Sequence, residues 1–88
     1  MKTYDIEFRP RAKKQLMQLE NADQRRVQGA IELLRTDPIP PNAKRLKGRN
    51  DYSLRVGSYR VIYNFSTGKL KILVIAIGHR REIYSNSD

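Results

Sequence analysis

The pair Gly57-Ser58, with the residues on either side of it, restricts this chain more than any other feature. Before it, Tyr52, Leu54 and Val56 alternate with Ser53 and Arg55; after it, Tyr59, Val61, Tyr63 and Phe65 alternate with Arg60, Ile62 and Asn64. Alternation with period two marks strands that bury one face. A two-residue connection with glycine first marks a hairpin closed by a type II′ turn. This connection fixes the register: Val56 opposes Tyr59, Arg55 opposes Arg60, Leu54 opposes Val61 and Tyr52 opposes Tyr63. A slip of one residue would turn every side chain to the wrong face. Apolar pairs then fill one face, and two arginines stand directly opposite each other on the other.

The remaining elements follow from spacing. Tyr4, Ile6 and Phe8 alternate with Thr3, Asp5 and Glu7, which predicts a half-buried strand. Pro10 stops it and suits the first turn of a helix. Ala12, Leu16 and Leu19 carry that helix through Glu20. Asn21, with Gln24 three residues on, predicts a capping box for a second helix whose apolar stripe is Val27, Ala30, Ile31 and Leu34. Asp37-Pro38 ends it, because the residue before proline is pushed out of the helical region. Residues 38–51, with Pro38, Pro40 and Pro41, read as a loop. Ser66-Thr67-Gly68 turns the chain into a nearly continuous aliphatic strand, Leu70 to Ile77, of the kind that is covered on both sides. Gly78 breaks it, and Glu82-Ile83-Tyr84 adds a short final strand. The expectation is one α+β domain over residues 1–88, ordered β-α-α-β-β-β with that short addition, two helices covering one face of a mainly antiparallel sheet.

The absence of cysteine excludes disulfides and thiolate metal or redox sites, and a single histidine argues against an imidazole zinc site. No apolar run approaches the roughly 20 residues that span a bilayer, and residues 1–7 do not open a signal peptide. The expected setting is cytoplasmic, without metal or cofactor. The net charge of +9 is unevenly spread: residues 44–88 carry ten Lys/Arg against three Asp/Glu, while residues 1–43 carry eight against six. A one-sided positive field of this kind draws in nucleic acid.

Opposed like charges destabilise a sheet. Arg55 and Arg60 therefore either splay into water, share a carboxylate from Asp51 or Glu82, or hold an external anion suited to the planar guanidinium fork. The third reading gains from Arg80, Arg81 and Tyr84, which follow closely in Gly78-His79-Arg80-Arg81-Glu82-Ile83-Tyr84. Lys44-Arg45-Leu46-Lys47-Gly48-Arg49 is either a solvated surface run or a grip on an RNA backbone. His79 is either a proton shuttle, histidine titrating near neutrality, or an ordinary structural side chain. Tyr84 either closes a core or stacks on a base.

At these residues the chain resembles the RelE toxins of type II toxin–antitoxin systems, within the RelE/ParE superfamily. The resemblance runs from Tyr4-Asp5-Ile6-Glu7-Phe8 through Asp37-Pro38, Lys44-Arg45-Leu46-Lys47-Gly48 and Arg55-Val56-Gly57-Ser58-Tyr59-Arg60-Val61-Ile62-Tyr63 to Gly78-His79-Arg80-Arg81-Glu82-Ile83-Tyr84. It implies a RelE-like (microbial-RNase-like) fold and a ribosome-dependent mRNA interferase needing no metal, silenced by a RelB-type antitoxin. It also implies roles: Arg60 stabilises the charged phosphate, Arg55 binds it, Arg80 assists the leaving oxygen and Tyr84 orients the nucleotide, with His79 as a further catalytic candidate. Lys44, Arg45, Lys47, Arg49 and Arg81 are the expected RNA-binding residues, toward ribosomal RNA or mRNA. The alternatives are a ParE-type toxin that inhibits gyrase on the same fold, and a basic nucleic-acid-binding module without catalysis.

Overall fold

Proline at position 10 decides where the first strand gives way to the first helix. In the computed structural model, which describes residues 3–79, β1 (Asp5–Phe8) runs into Arg9 with extended backbone, and α1 (Pro10–Met17) starts on the proline. The pyrrolidine lacks only an N–H that a first helical turn leaves unused. α2 (Asn21–Leu33) follows after a short break. Its first main-chain bond runs from the Gln24 N–H to the Glu20 carbonyl, so Glu20 is the capping residue and Asn21 is already helical. The expected Asn21–Gln24 capping box is therefore absent; the Gln24 amide lies 3.2 Å from Met17 Sδ instead. Beyond Leu33 the chain stays coiled through tighter i→i+3 bonds, Arg35 to Glu32 and Thr36 to Leu33, until Asp37-Pro38.

The remaining strands are β2 (Ala43–Arg45), β3 (Tyr52–Val56), β4 (Tyr59–Ser66) and β5 (Lys71–His79). The sheet order is β1-β5-β4-β3-β2, with β1 parallel to β5 and every other pairing antiparallel. Every pair expected for the β3–β4 hairpin is present, including Arg55 with Arg60. Gly57 has φ +59° and Ser58 stays at negative φ, as a type II′ turn requires.

Three expectations are corrected. The stretch 38–51 is not all loop: once the prolines are passed, Ala43–Arg45 pairs with Leu54, Ser53 and Tyr52 as a short edge strand. β5 begins at Lys71 rather than Leu70, which lies in the turn at φ +53°. Gly78 does not end β5; it pairs with Arg60, and His79 pairs with Tyr59. The expected strand over residues 82–84 lies outside the described residues.

The helices cover one face only. Ala12, Leu16, Val27, Ile31 and Leu34 pack on Leu54, Val56, Val61, Tyr63, Ile72, Val74 and Ile77. On the opposite face Leu73 and Ile75 are half-exposed, so β5 is not covered equally on both sides. Tyr63 is fully buried, and its hydroxyl donates to the Pro38 carbonyl at 2.6 Å. Burial pushes its pKa well above the ordinary tyrosine value. The face away from the helices is where the sequence set its arginines.

Candidate nucleic-acid interface

Strand register builds this site. Lys44 pairs with Ser53, Ser53 with Ile62 and Ile62 with Ala76, forming one row across the open face. One step nearer the hairpin, Arg55 pairs with Arg60 and Arg60 with Gly78. Glycine at 78 places no side chain beside Arg60 in that row. Asn42 extends it at the other end: Arg55 N–H donates to the Asn42 carbonyl at 2.9 Å, and Asn42 Nδ2 donates to the Arg55 carbonyl at 2.8 Å. Nothing in the sequence pattern marks Asn42, because its role appears only once β2 is known to pair with β3.

These rows and the β2–β3 loop enclose a depression of about 350 Å³ lined by Lys44, Arg45, Lys47, Ser53, Arg55 and Arg60, among others. Arg60 is half-buried and Arg55 exposed. Among the described residues no carboxylate lies within 4 Å of either guanidinium; Arg60 reaches only the Tyr59 carbonyl, at 3.3 Å. The sharing carboxylate weighed at Asp51 is committed elsewhere. Asp51 accepts from Arg49 Nη2 at 2.6 Å and Nε at 3.1 Å, and from Asn64 Nδ2 at 3.2 Å. A concave surface on which these cations converge, with no carboxylate against Arg55 or Arg60 among the described residues, is a place for a phosphate backbone, since guanidinium offers two parallel donors to an anionic oxygen pair.

Of the expected site residues, the structure brings together Arg55, Arg60, Lys44, Arg45 and Lys47. Arg49 lies in the neighbouring loop, tied to Asp51. His79 is not with them. It shares the helix-covered face with Tyr59, their rings edge to face at 5.9 Å, and Tyr59 in turn donates to Asp23 of α2 at 3.1 Å. The cause is a bulge: Ile62 pairs with Ala76 but Tyr63 with Val74, so Ile75 is an extra residue that inverts the alternation of β5 beyond it. Arg80, Arg81 and Tyr84 lie outside the described residues. The remaining charged contacts are remote from the depression. At Glu7–Lys71, on β1 and β5, the 2.7 Å bond lowers the carboxyl pKa and raises that of the amine.

Comparison with known proteins agrees with this architecture. Residues 6–84 match the family described as the ParE toxin of type II toxin–antitoxin systems, parDE. The RelE1 protein of Methanocaldococcus jannaschii is 32% identical over 87 residues, covering 94% of this chain and 97% of its own length. The structure is similar to RelE in the archaeal RelE–RelB complex of Pyrococcus horikoshii OT3, with TM-score 0.79 and 27% identity over 89% of this chain and 96% of that one. It also resembles a mutant of the E. coli RelE toxin in the free state, with TM-score 0.78, 24% identity, and coverage of 97% and 94%. The chain belongs to the RelE/ParE superfamily of type II toxin–antitoxin toxins and has the mixed α+β fold of RelE.

Proposed function

We propose that the chain is an mRNA interferase, a ribosome-dependent endoribonuclease that cuts mRNA in the A site. The observation that carries this reading is the cross-strand pair Arg55 and Arg60, set in a basic depression without a carboxylate partner among the described residues. In the proposed step the ribose 2′-oxygen loses its proton and attacks the adjacent phosphorus. The bond to the 5′-oxygen breaks, that oxygen takes up a proton, and the products are a 2′,3′-cyclic phosphate and a 5′-hydroxyl end. Negative charge gathers on the phosphoryl oxygens as the new bond forms. Arg60, half-buried and set by β4, is the main group stabilising it, and preorganised donors of this kind contribute about 3–4 kcal/mol to such steps. Arg55 shares the phosphate, while Lys44, Arg45 and Lys47 bind the flanking backbone.

Arg80 is assigned to the leaving oxygen, Arg81 to RNA binding and Tyr84 to nucleotide orientation, on the resemblance alone. His79 receives no step, because its ring lies against Tyr59 on the other face. A RelB-type antitoxin silences the toxin by covering the basic depression. The direct test expresses the wild type and Arg60→Ala in cells and maps mRNA ends by primer extension. New in-frame ends within A-site codons, lost in Arg60→Ala, are expected. Intact mRNA in growth-arrested cells, with gyrase-linked DNA breaks in its place, would assign the chain to gyrase inhibition.

A further inference from the structure

Between Asp37 and Glu82 the chain holds a single carboxylate, Asp51, amid ten lysines and arginines. In a surface built only to attract a polyanion, that charge is a cost. It also occupies one guanidinium, since Arg49 is spent on it at 2.6 Å and 3.1 Å. We propose that Asp51 is a positioning residue, one that fixes the β2–β3 loop as the basic wall of the depression and so strengthens RNA binding despite repelling phosphate.

The geometry supports this at both ends of the side chain. Asp51 precedes the Tyr52–Tyr63 pair, and its Oδ1 accepts from Asn64 Nδ2 of β4 at 3.2 Å, which anchors the loop to the rigid centre of the sheet. Its Oδ2 carries Arg49. Its carbonyl accepts from Leu46 N–H at 2.9 Å, closing the loop on itself. Arg49 passes the restraint onward: its carbonyl accepts from Arg45 Nε at 3.3 Å, while Asn50 Oδ1 accepts from Arg45 Nη2 at 3.2 Å. Gly48, at φ +73°, makes the reversal between them. Arg45, held this way, and Lys47 of the same loop line the depression beside Arg55 and Arg60. With its side chain 16% exposed, Asp51 is itself poorly placed to meet solvent or ligand. An ordered loop meets RNA without first losing conformational freedom.

Charge alone and positioning predict opposite signs. Asp51→Asn adds one positive charge and releases Arg49, so simple attraction makes RNA binding tighter. The positioning role makes it weaker by about tenfold, the order of one charge-assisted tie.

The test titrates a fluorescent single-stranded RNA by anisotropy over a range of salt concentrations. It uses the full chain as wild type, Asp51→Asn, Arg49→Gln, the double variant, and Lys69→Gln as an exposed cation in the β4–β5 turn. Expected are weaker binding by Asp51→Asn, a double variant no weaker than Arg49→Gln alone, and a salt slope lower by about 0.7, one lost phosphate contact. A merely destabilised protein loses binding-competent fraction and keeps its slope. Equal or tighter binding by Asp51→Asn, an unchanged slope, or additive losses overturns the proposal. If Asp51→Asn does not fold, Arg49→Gln decides: an effect no larger than that of Lys69→Gln overturns it. The inference rests on the RNA reading above. Wild-type RNA binding without ribosomal cleavage defeats only the nuclease assignment, and no wild-type RNA binding defeats both.

Discussion

Arg55→Gln removes one of two guanidiniums that the β3–β4 register sets face to face. Opposed Cβ atoms lie about 5 Å apart, and splaying carries the charges to roughly 7 Å. Two like charges at that distance repel by about 0.6 kcal/mol in water, and by somewhat more where one is half-buried, as Arg60 is. Relief of this repulsion stabilises the variant by about 0.5–1 kcal/mol, or about 4 °C in Tm for a domain of this size. Salt near 1 M shortens the Debye length to about 3 Å and closes the gap. The same variant binds RNA less tightly and with a smaller salt slope, because a phosphate contact is gone. Thermal melts of both proteins at low and high salt, beside RNA titrations, measure the two effects together. A variant that melts lower than wild type at low salt, or whose difference ignores salt, would refute the reasoning. The two arginines would then be neutralised within the chain, and the case for an external anion would fall with that result.

Tyr63→Phe strands the Pro38 carbonyl and lowers stability by about 1–2 kcal/mol, readable as an earlier midpoint in urea. Native Tyr63 holds its proton above the pH where unfolded tyrosine ionises, so the native state binds more protons and stability falls as pH rises past about 10. Tyr63→Phe flattens that part of the alkaline melting curve. Ile31→Ala, at a site 2% exposed beneath the sheet, costs about 2–5 kcal/mol by denaturant titration, and a smaller loss would mean that α2 slides to refill the space. Gly57→Val, at φ +59°, loses about 1–2 kcal/mol and slows formation of the hairpin.

Much of the sheet was legible because its signals are local. The turn at Gly57 and the alternation around it fix the β3–β4 register without reference to anything distant. The apolar stripes of α1 and α2 likewise name the face they bury. β2 was hidden because three residues at an edge, two of them cationic, carry no alternation long enough to read. Its pairing depends on the partner strand. The basic depression was half legible: Arg55 and Arg60 follow from the register, whereas Asn42 and the Asp51 tie exist only after β2 and its loop have folded back. Asn21 misled because a good capping residue lay one position past the carbonyl that accepts the first helical bond. His79 misled for another reason. In an all-aliphatic strand neither face announces itself, so the extra residue at Ile75 leaves no mark in the pattern.

That extra residue makes odd and even positions of β5 exchange sides partway along. Ile72 and Val74 look toward the helices, and so do Ile77 and His79. Losing that one amino acid would close the ladder into unbroken alternation and leave Ile77 opposite Val61 and the imidazole opposite Tyr59, because the cross-strand partner and not the residue count sets the face. Homologues whose lengths differ by one in this interval should therefore be matched by counting backward from Gly78, not forward from Lys71.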